Sequence, residues 1–168
     1  MGYQDQNFGH NITTCSSSYS LGDWLVIGVG SEENAADQIK HYQKFTVNIP
    51  DETSMLEMEQ AGFISRREKL KHLGLDYEIS EQTQSPILEA CPVVLECQVD
   101  RIIEEDGICH IFAKIIERLA DPAHPAARRH RSRAIGQDRL HHGPDPPPRG
   151  DARAAGLRPR SGGPPAPC

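Results

Sequence analysis

Residues 92–119 read PVVLECQVDRIIEEDGICHIFAKIIERL, and this stretch decides the fold. Leu95, Cys97, Val99 and Ile103 alternate on one side, broken only by Arg101, with Glu96, Gln98, Asp100 and Ile102 on the other. A two-residue period with one apolar side is the pattern of a half-buried strand. Asp106-Gly107 supplies the pair of residues that tolerate positive φ in a tight hairpin turn. Ile108 to Leu119 then returns as the antiparallel partner.

Working toward the front, short strands alternate with helices. Trp24 to Val29 is a buried strand, and Ser31 is placed to cap a helix running to about His41, with Glu32 and Glu33 suiting the positive end of its dipole. Phe45 to Ile49 is another strand, stopped by Pro50, which has no N–H for a ladder. Ser54 to Ala61 reads as a helix ended by Gly62. Ser65 and Glu68 have capping-box spacing for a second short helix closed by Gly74. His10 to Ser18, polar and poor in helix formers, reads as a strand whose side chains serve something other than an apolar core. Several short strands followed by a long hairpin favour a mainly β antiparallel barrel with helical insertions over a βαβ sheet.

The charge divides the chain near Ala120. Up to that residue nine Lys and Arg face twenty Asp and Glu, a balance of −11; beyond it nine Arg face four Asp, and the tail holds ten of the thirteen prolines. A segment with so few large apolar residues cannot bury enough surface to offset its ordering entropy, so 1–120 is expected to be the folded domain and 121–168 a disordered tail. No apolar run approaches the length of a membrane span, and MGYQDQNFGH lacks a signal-peptide layout, which makes the cytoplasm the default expectation. The tail's arginines raise the alternative of a nucleic-acid-binding arm. No aromatic interleaves to stack a base, and its prolines break any recognition helix, so that alternative is not favoured. Five cysteines without a Cys-x-x-Cys pair read as buried free thiols, and the scattered tail histidines as compositional, so no metal site is expected.

Three places could carry chemistry. Gly28-Val29-Gly30-Ser31 lies between a strand and a helix, but Glu33 stands where a dinucleotide-binding turn has its third glycine, and a carboxylate there repels a pyrophosphate. Ser31, Asn34 and the helix N-terminus remain able to hold a single phosphate. Asn11 to Ser18 would offer a row of hydroxyls to a phosphate or a flat heteroaromatic ring, or would be only a solvent-facing edge. Arg66, Arg67, Lys69, Lys71 and His72 form the one concentrated basic patch of an otherwise acidic body, where a solvated face is the plainer explanation.

The chain from about Asn7 to Asp121 resembles the flavin reductase-like proteins, the FMN-binding split barrels of flavoredoxin type. Asn11 to Ser17 is similar to their Asn-x-x-Thr-Ala-Ser segment, and Gly30-Ser31-Glu32-Glu33-Asn34 to their Ser-Arg-Tyr-Thr turn. Phe45 to Pro50 matches Phe-x-Val-Asn-Ile-Pro, and Ala61 to Lys69 resembles Cys-Gly-x-x-Ser-Gly-Arg-Asp-x-Asp-Lys. Pro86 to Pro92 and Leu95-Glu96-Cys97 resemble Pro-Leu-Ile-x-x-Cys-Pro and Leu-Glu-Cys. The resemblance implies an antiparallel split barrel, a homodimer, noncovalent FMN, and electron transfer from NAD(P)H to the flavin or onward. It implies that Asn11, Thr13, Thr14, Cys15, Ser16 and Ser17 line the ring and ribityl chain. Ser31 and Asn34 would hold the phosphate, helped by Lys69 and Ser65, with Asn48 completing the set; no side chain need act as acid or base.

The departures set further expectations. The Ser-Gly-Arg block is shortened, with Arg66 for its glycine and Ala61 for its cysteine. Only ten residues precede Asn11 where the family has a helix and a strand, so the barrel is expected to lack a strand. The tail composition is that of a GC-rich region read out of frame, so a degraded copy is the expectation. The rival reading is a non-catalytic β-barrel binding module with a basic tail.

Overall fold

The computed structural model describes residues 1–64 and 67–121. The expected tail, 121–168, therefore lies outside the described residues save for Asp121, as do Ser65 and Arg66. Among the described residues nine strands and three α-helices follow one another, with a 3-10 turn at Glu52–Ser54. They are β1 (Gly2–Asp5), β2 (Gly9–Ile12), β3 (Ser18–Leu21), β4 (Trp24–Gly30), α1 (Asn34–Tyr42), β5 (Lys44–Ile49), α2 (Met55–Phe63), α3 (Lys69–Leu73), β6 (Tyr77–Ile79), β7 (Pro86–Leu88), β8 (Val93–Glu105) and β9 (Ile108–Ala120).

Seven strands form one sheet in the order β2-β1-β5-β8-β9-β4-β3, and β6 and β7 pair apart from it. All the pairings are antiparallel. Met1 and Tyr3 share one apolar cluster with Leu25, Ile27 and Val29 of β4, Phe45 of β5, Cys97 and Val99 of β8, and Cys109, Ile111 and Ala113 of β9. Residues from near both ends of the strand order can meet in this way only if the sheet curves around them. Ala35, Ala36 and Ile39 of α1 join the same core. The edge strands β2 and β3 do not pair with each other, so the barrel is split, as expected. A second cluster, of Ile12, Ala61, Leu70, Leu88, Cys91 and Val94, seats α2, α3 and β7.

The long hairpin forms where the sequence places it, with Asp106 at φ 49° and Gly107 at φ 76° in its turn. One phase differs from expectation. Val99 pairs with Ala113 and Arg101 with Phe112, so Asp100 is an extra residue in a bulge. Beyond it Ile102, not Ile103, faces the core, while Ile103 is 45 % exposed. The bulge also explains why Arg101 interrupted the apolar row: its guanidinium lies outside, 4.3 Å from the Phe112 ring centre.

Four local expectations are corrected. The strand expected over His10–Ser18 is β2 up to Ile12 and β3 from Ser18, with an irregular link between, because residues 13–17 find no strand to pair with. Ser31 does not cap α1; its N–H donates to Gly107 O at 2.9 Å, which delays the helix to Asn34 with Glu33 in the N-cap position. Gly62 lies inside α2, which runs to Phe63. The second short helix begins after Glu68, so Glu68 is its N-cap rather than the third residue of a capping box, and Gly74 closes it at φ 62°. The sequence reading also missed β1, β6 and β7. Nothing in Gly-Tyr-Gln-Asp announces a strand; β1 exists because Gly2 lets the chain approach β5 and β7 closely, where a Cβ would lie 2.6 Å from Pro86 O and 2.6 Å from Thr46 Oγ1.

Candidate functional site

The irregular link 13–17 is held at both ends. Thr13 N–H donates to Met1 O at 2.9 Å, and the Met1 amino group donates back to Thr13 O at 2.6 Å; burial pushes that amino group down to about 6. Further along, Gly28 N–H donates to Ser17 O at 2.9 Å, and the Cys15 thiol approaches the carbonyls of Ser17 and Gly28. Burial raises the Cys15 thiol above its usual range.

This link is a wall between three recesses. On one side a cavity of about 390 Å³ is lined by Asn11, Thr13 and Thr14, by Glu32, Glu33 and Asn34 at the start of α1, and by Gly62, Ile64 and Lys69. On the outer face of β4 a recess of about 600 Å³ takes Thr14 to Tyr19 with Gly28, Gly30, Ile108 and His110. Under α2 a more apolar one of about 760 Å³ gathers Thr13, Thr14 and Cys15 with Val47, Asn48, Met55, Met58 and Phe63. Thr14 borders all three. These volumes fall within the usual range of small-molecule sites.

The segments singled out in the sequence thus meet: the polar stretch, the turn before α1, and Lys69. Individual residues behave differently from expectation. Asn11 is buried and fully committed. Its Nδ2 donates to Asp5 Oδ2 at 3.3 Å and Arg67 O at 2.9 Å, and its Oδ1 accepts from Lys69 N at 3.1 Å and Ile12 N at 3.0 Å. It fixes the start of α3 against β2 and so places Lys69. Asn48 plays the same part on the other side, donating to Thr46 Oγ1 and Pro86 O and accepting from Leu88 N at 2.8 Å. Asn34 borders the cavity, but its Nδ2 is drawn to Asp5 Oδ2 at 2.7 Å and its Oδ1 accepts from Gln38. Ser31 is not among the cavity residues, and its N–H is taken by Gly107 O.

Lys69 is the cation among the described residues that line the cavity and is itself buried, with Nζ donating to Ala61 O at 2.9 Å. Burial lowers its pKa; the Glu33 carboxylate partly offsets this. Arg67, Lys71 and His72 are exposed, a solvated face. Thr13, 9 % exposed, borders the cavity. Ser16 and Ser17 face only the outer recess. Ser65 lies outside the described residues.

Sequence reasoning missed Tyr3 and Asp5. The Asp5 carboxylate accepts from the Asn7 and Phe8 N–H groups and from the amides of Asn11 and Asn34, so it ties the front hairpin to both sides of the cavity. The Tyr3 hydroxyl, raised to about 12 by burial, accepts from Asn34 Nδ2 at 3.5 Å. An isolated Asp between glutamines carries no signal of this. Glu33 had one, since it stands where a phosphate-binding turn has glycine.

A flavin has two requirements here: room for a flat ring against hydroxyls and backbone, and a counter-charge for any phosphate. The wall of Thr13 to Ser17 and the recesses beside it meet the first. The second is met only in part among the described residues: Lys69 is a cation on the cavity, but Glu32 and Glu33 border it too, and Asn34 is bonded to Asp5.

Residues 5–132 match the flavin reductase like domain family. A Bacillus subtilis (strain 168) protein, YdfE, is 28% identical over 109 residues, which is 55% of this chain and 52% of that protein, so the chain spans about half the length of this curated relative. Among solved structures, flavoredoxin of Desulfovibrio vulgaris (Miyazaki F) superposes with TM-score 0.67 at 19% identity, over 73% of this chain and 68% of that one. The Streptomyces globisporus NADH:FAD oxidoreductase SgcE6 gives 0.61 at 16%, over 73% and 69%. Among the described residues no helix is long and apolar enough to cross a membrane.

Proposed function

Because the chain belongs to the flavin reductase-like domain family, we propose that it is a flavin-binding oxidoreductase that draws electrons from a reduced nicotinamide, NADH or NADPH, and passes them to the flavin or an onward acceptor. One observation carries the reading: the polar link 13–17, the start of α1 and Lys69 meet around a single cavity of about 390 Å³ beside two larger recesses. The names of the structural relatives, flavoredoxin and NADH:FAD oxidoreductase, support it.

A bound flavin supplies the two-electron carrier chemistry, so the protein's part is binding, orientation and electrostatics. The backbone and hydroxyls of Thr13 to Ser17 offer a hydrogen-bonding edge, and Lys69 is the nearby cation that favours negative charge on a reduced ring. Asn11 and Asn48 hold the two flanks of that wall and are positioning residues. FMN is the form implied by the resemblance, and its ring and ribityl chain suit the wall. The resemblance also implies a homodimer, which the exposed apolar side chains of Tyr19 and Leu21 on edge strand β3 and of Met55, Leu56 and Phe63 on α2 support.

The test is colour. Purified protein should carry or take up a yellow flavin, quench its fluorescence on titration, and lose the colour anaerobically when NADH or NADPH is added. A folded protein that stays colourless with excess riboflavin, FMN and FAD would overturn the proposal in favour of a non-catalytic binding module.

A further inference from the structure

The charge around the cavity points to which flavin it takes. Among the described residues two carboxylates, Glu32 and Glu33, and one ammonium, Lys69, line it, and the ammonium already serves Ala61 O. The start of α1, where an anion would ordinarily find N–H groups and a favourable dipole, carries its own acids. Glu33 is the N-cap residue, with Oε1 accepting from Gly30 N at 3.3 Å, Glu32 precedes it, and Asp37 stands in the first turn. The neighbouring recess adds no cation among the described residues; Glu32 and Asp37 line it with Asn7, Phe8 and Asn34. Among the described residues, a dianionic phosphate placed here meets more like charge than opposite charge.

The same groups suit a neutral polyol. Carboxylate oxygens accept from vicinal hydroxyls, the two remaining N–H groups of Lys69 donate to them, and Thr13 borders the same cavity. We infer that this cavity selects an unphosphorylated flavin, riboflavin over FMN, and that Glu32 and Glu33 set the preference. This inference rests on the flavin reading above and sharpens its ligand class.

The experiment is a pair of fluorescence-quenching titrations of the full chain, with riboflavin and with FMN, repeated on Glu33→Gln and on the double variant E32Q/E33Q. Both glutamates are exposed, so these variants should fold, which thermal melts will verify. The wild type should bind riboflavin at least about fivefold more tightly than FMN. The double variant should gain about tenfold for FMN and change by less than about threefold for riboflavin. Raising the salt should narrow the FMN deficit in the wild type by screening it. FMN binding more tightly than riboflavin, or an unchanged ratio in the double variant, would overturn the inference while leaving the flavin reading intact. If neither flavin binds, both fall together.

Discussion

Asn11→Asp replaces a buried amide donor by a carboxylate beside a buried carboxylate. Asn11 is 1 % and Asp5 2 % exposed, and the amide nitrogen lies 3.3 Å from Asp5 Oδ2 and 2.9 Å from Arg67 O. In the variant one oxygen still accepts from Lys69 N, but the other faces two acceptors with no hydrogen between them. Two carboxylates this close and this buried cannot both ionise, so one member of the pair is held protonated with its pKa raised by about 3 units. At about 1.4 kcal/mol per unit this amounts to roughly 4 kcal/mol of lost stability at neutral pH. The sign follows from linkage. A group whose folded pKa is raised above its unfolded value contributes stability that is present below the unfolded pKa and lost as pH rises through the folded one. Asn11→Asp should therefore come closest to the wild type near pH 4 and be far weaker at pH 8. Asn11→Ala leaves Lys69 N–H and Arg67 O unpaired and should lose about 2–4 kcal/mol at every pH, a fall in Tm of about 10 °C. Thermal melts of the three proteins across pH 4–8 decide it. An Asn11→Asp deficit that does not change with pH, or an Asn11→Ala melt coinciding with the wild type, would show that Asn11 does not link Asp5 to α3 as described.

Gly2→Ala should destabilise by about 2–4 kcal/mol in a urea titration, because its Cβ would meet the backbone oxygen of Pro86 at 2.6 Å and neither strand can yield. Gly9→Ala, at φ 75° with nothing within 4 Å, should lose only about 1 kcal/mol from backbone strain. Similar losses at the two sites would refute the close approach of β1 to β7. Lys69→Met tests the buried cation. The folded pKa of Lys69 lies below its ordinary 10.5, so burial weakens the wild type at neutral pH and the penalty is relieved as pH climbs toward 10.5. Wild-type stability relative to Lys69→Met should rise over that interval, and parallel urea midpoints from pH 7 to 10.5 would count against burial.

What was legible in the sequence is what local chemistry decides. The β8–β9 hairpin could be read because its alternation is long and Asp106-Gly107 demands positive φ, and the strand before Pro50 because proline ends a ladder. The Asp100 bulge could not, since it arises from the pairing of Val99 and Arg101 with successive residues of β9, and a pairing is not visible in one strand alone. Residues 13–17 show the same limit. A run of Thr, Cys and Ser satisfies a strand pattern and an irregular wall equally well, and only the lack of a neighbour to pair with separates them.

The candidate site adds a second reason. Motif residues such as Asn11, Asn48 and Asn34 were read as ligand contacts because an amide can bind almost anything polar. In the folded chain each lies within reach of a stronger local claim: Arg67 O and Lys69 N for Asn11, Pro86 O and Leu88 N for Asn48, Asp5 for Asn34. A buried amide left unpaired is costly, so the fold takes these groups first. What remains for a ligand is the set the fold does not need, namely the backbone of the 13–17 link, the hydroxyls of Thr13 and its neighbours, part of Lys69, and the two glutamates. The chemistry of that remainder, rich in hydroxyls and net negative, is what the occupant of the cavity has to match.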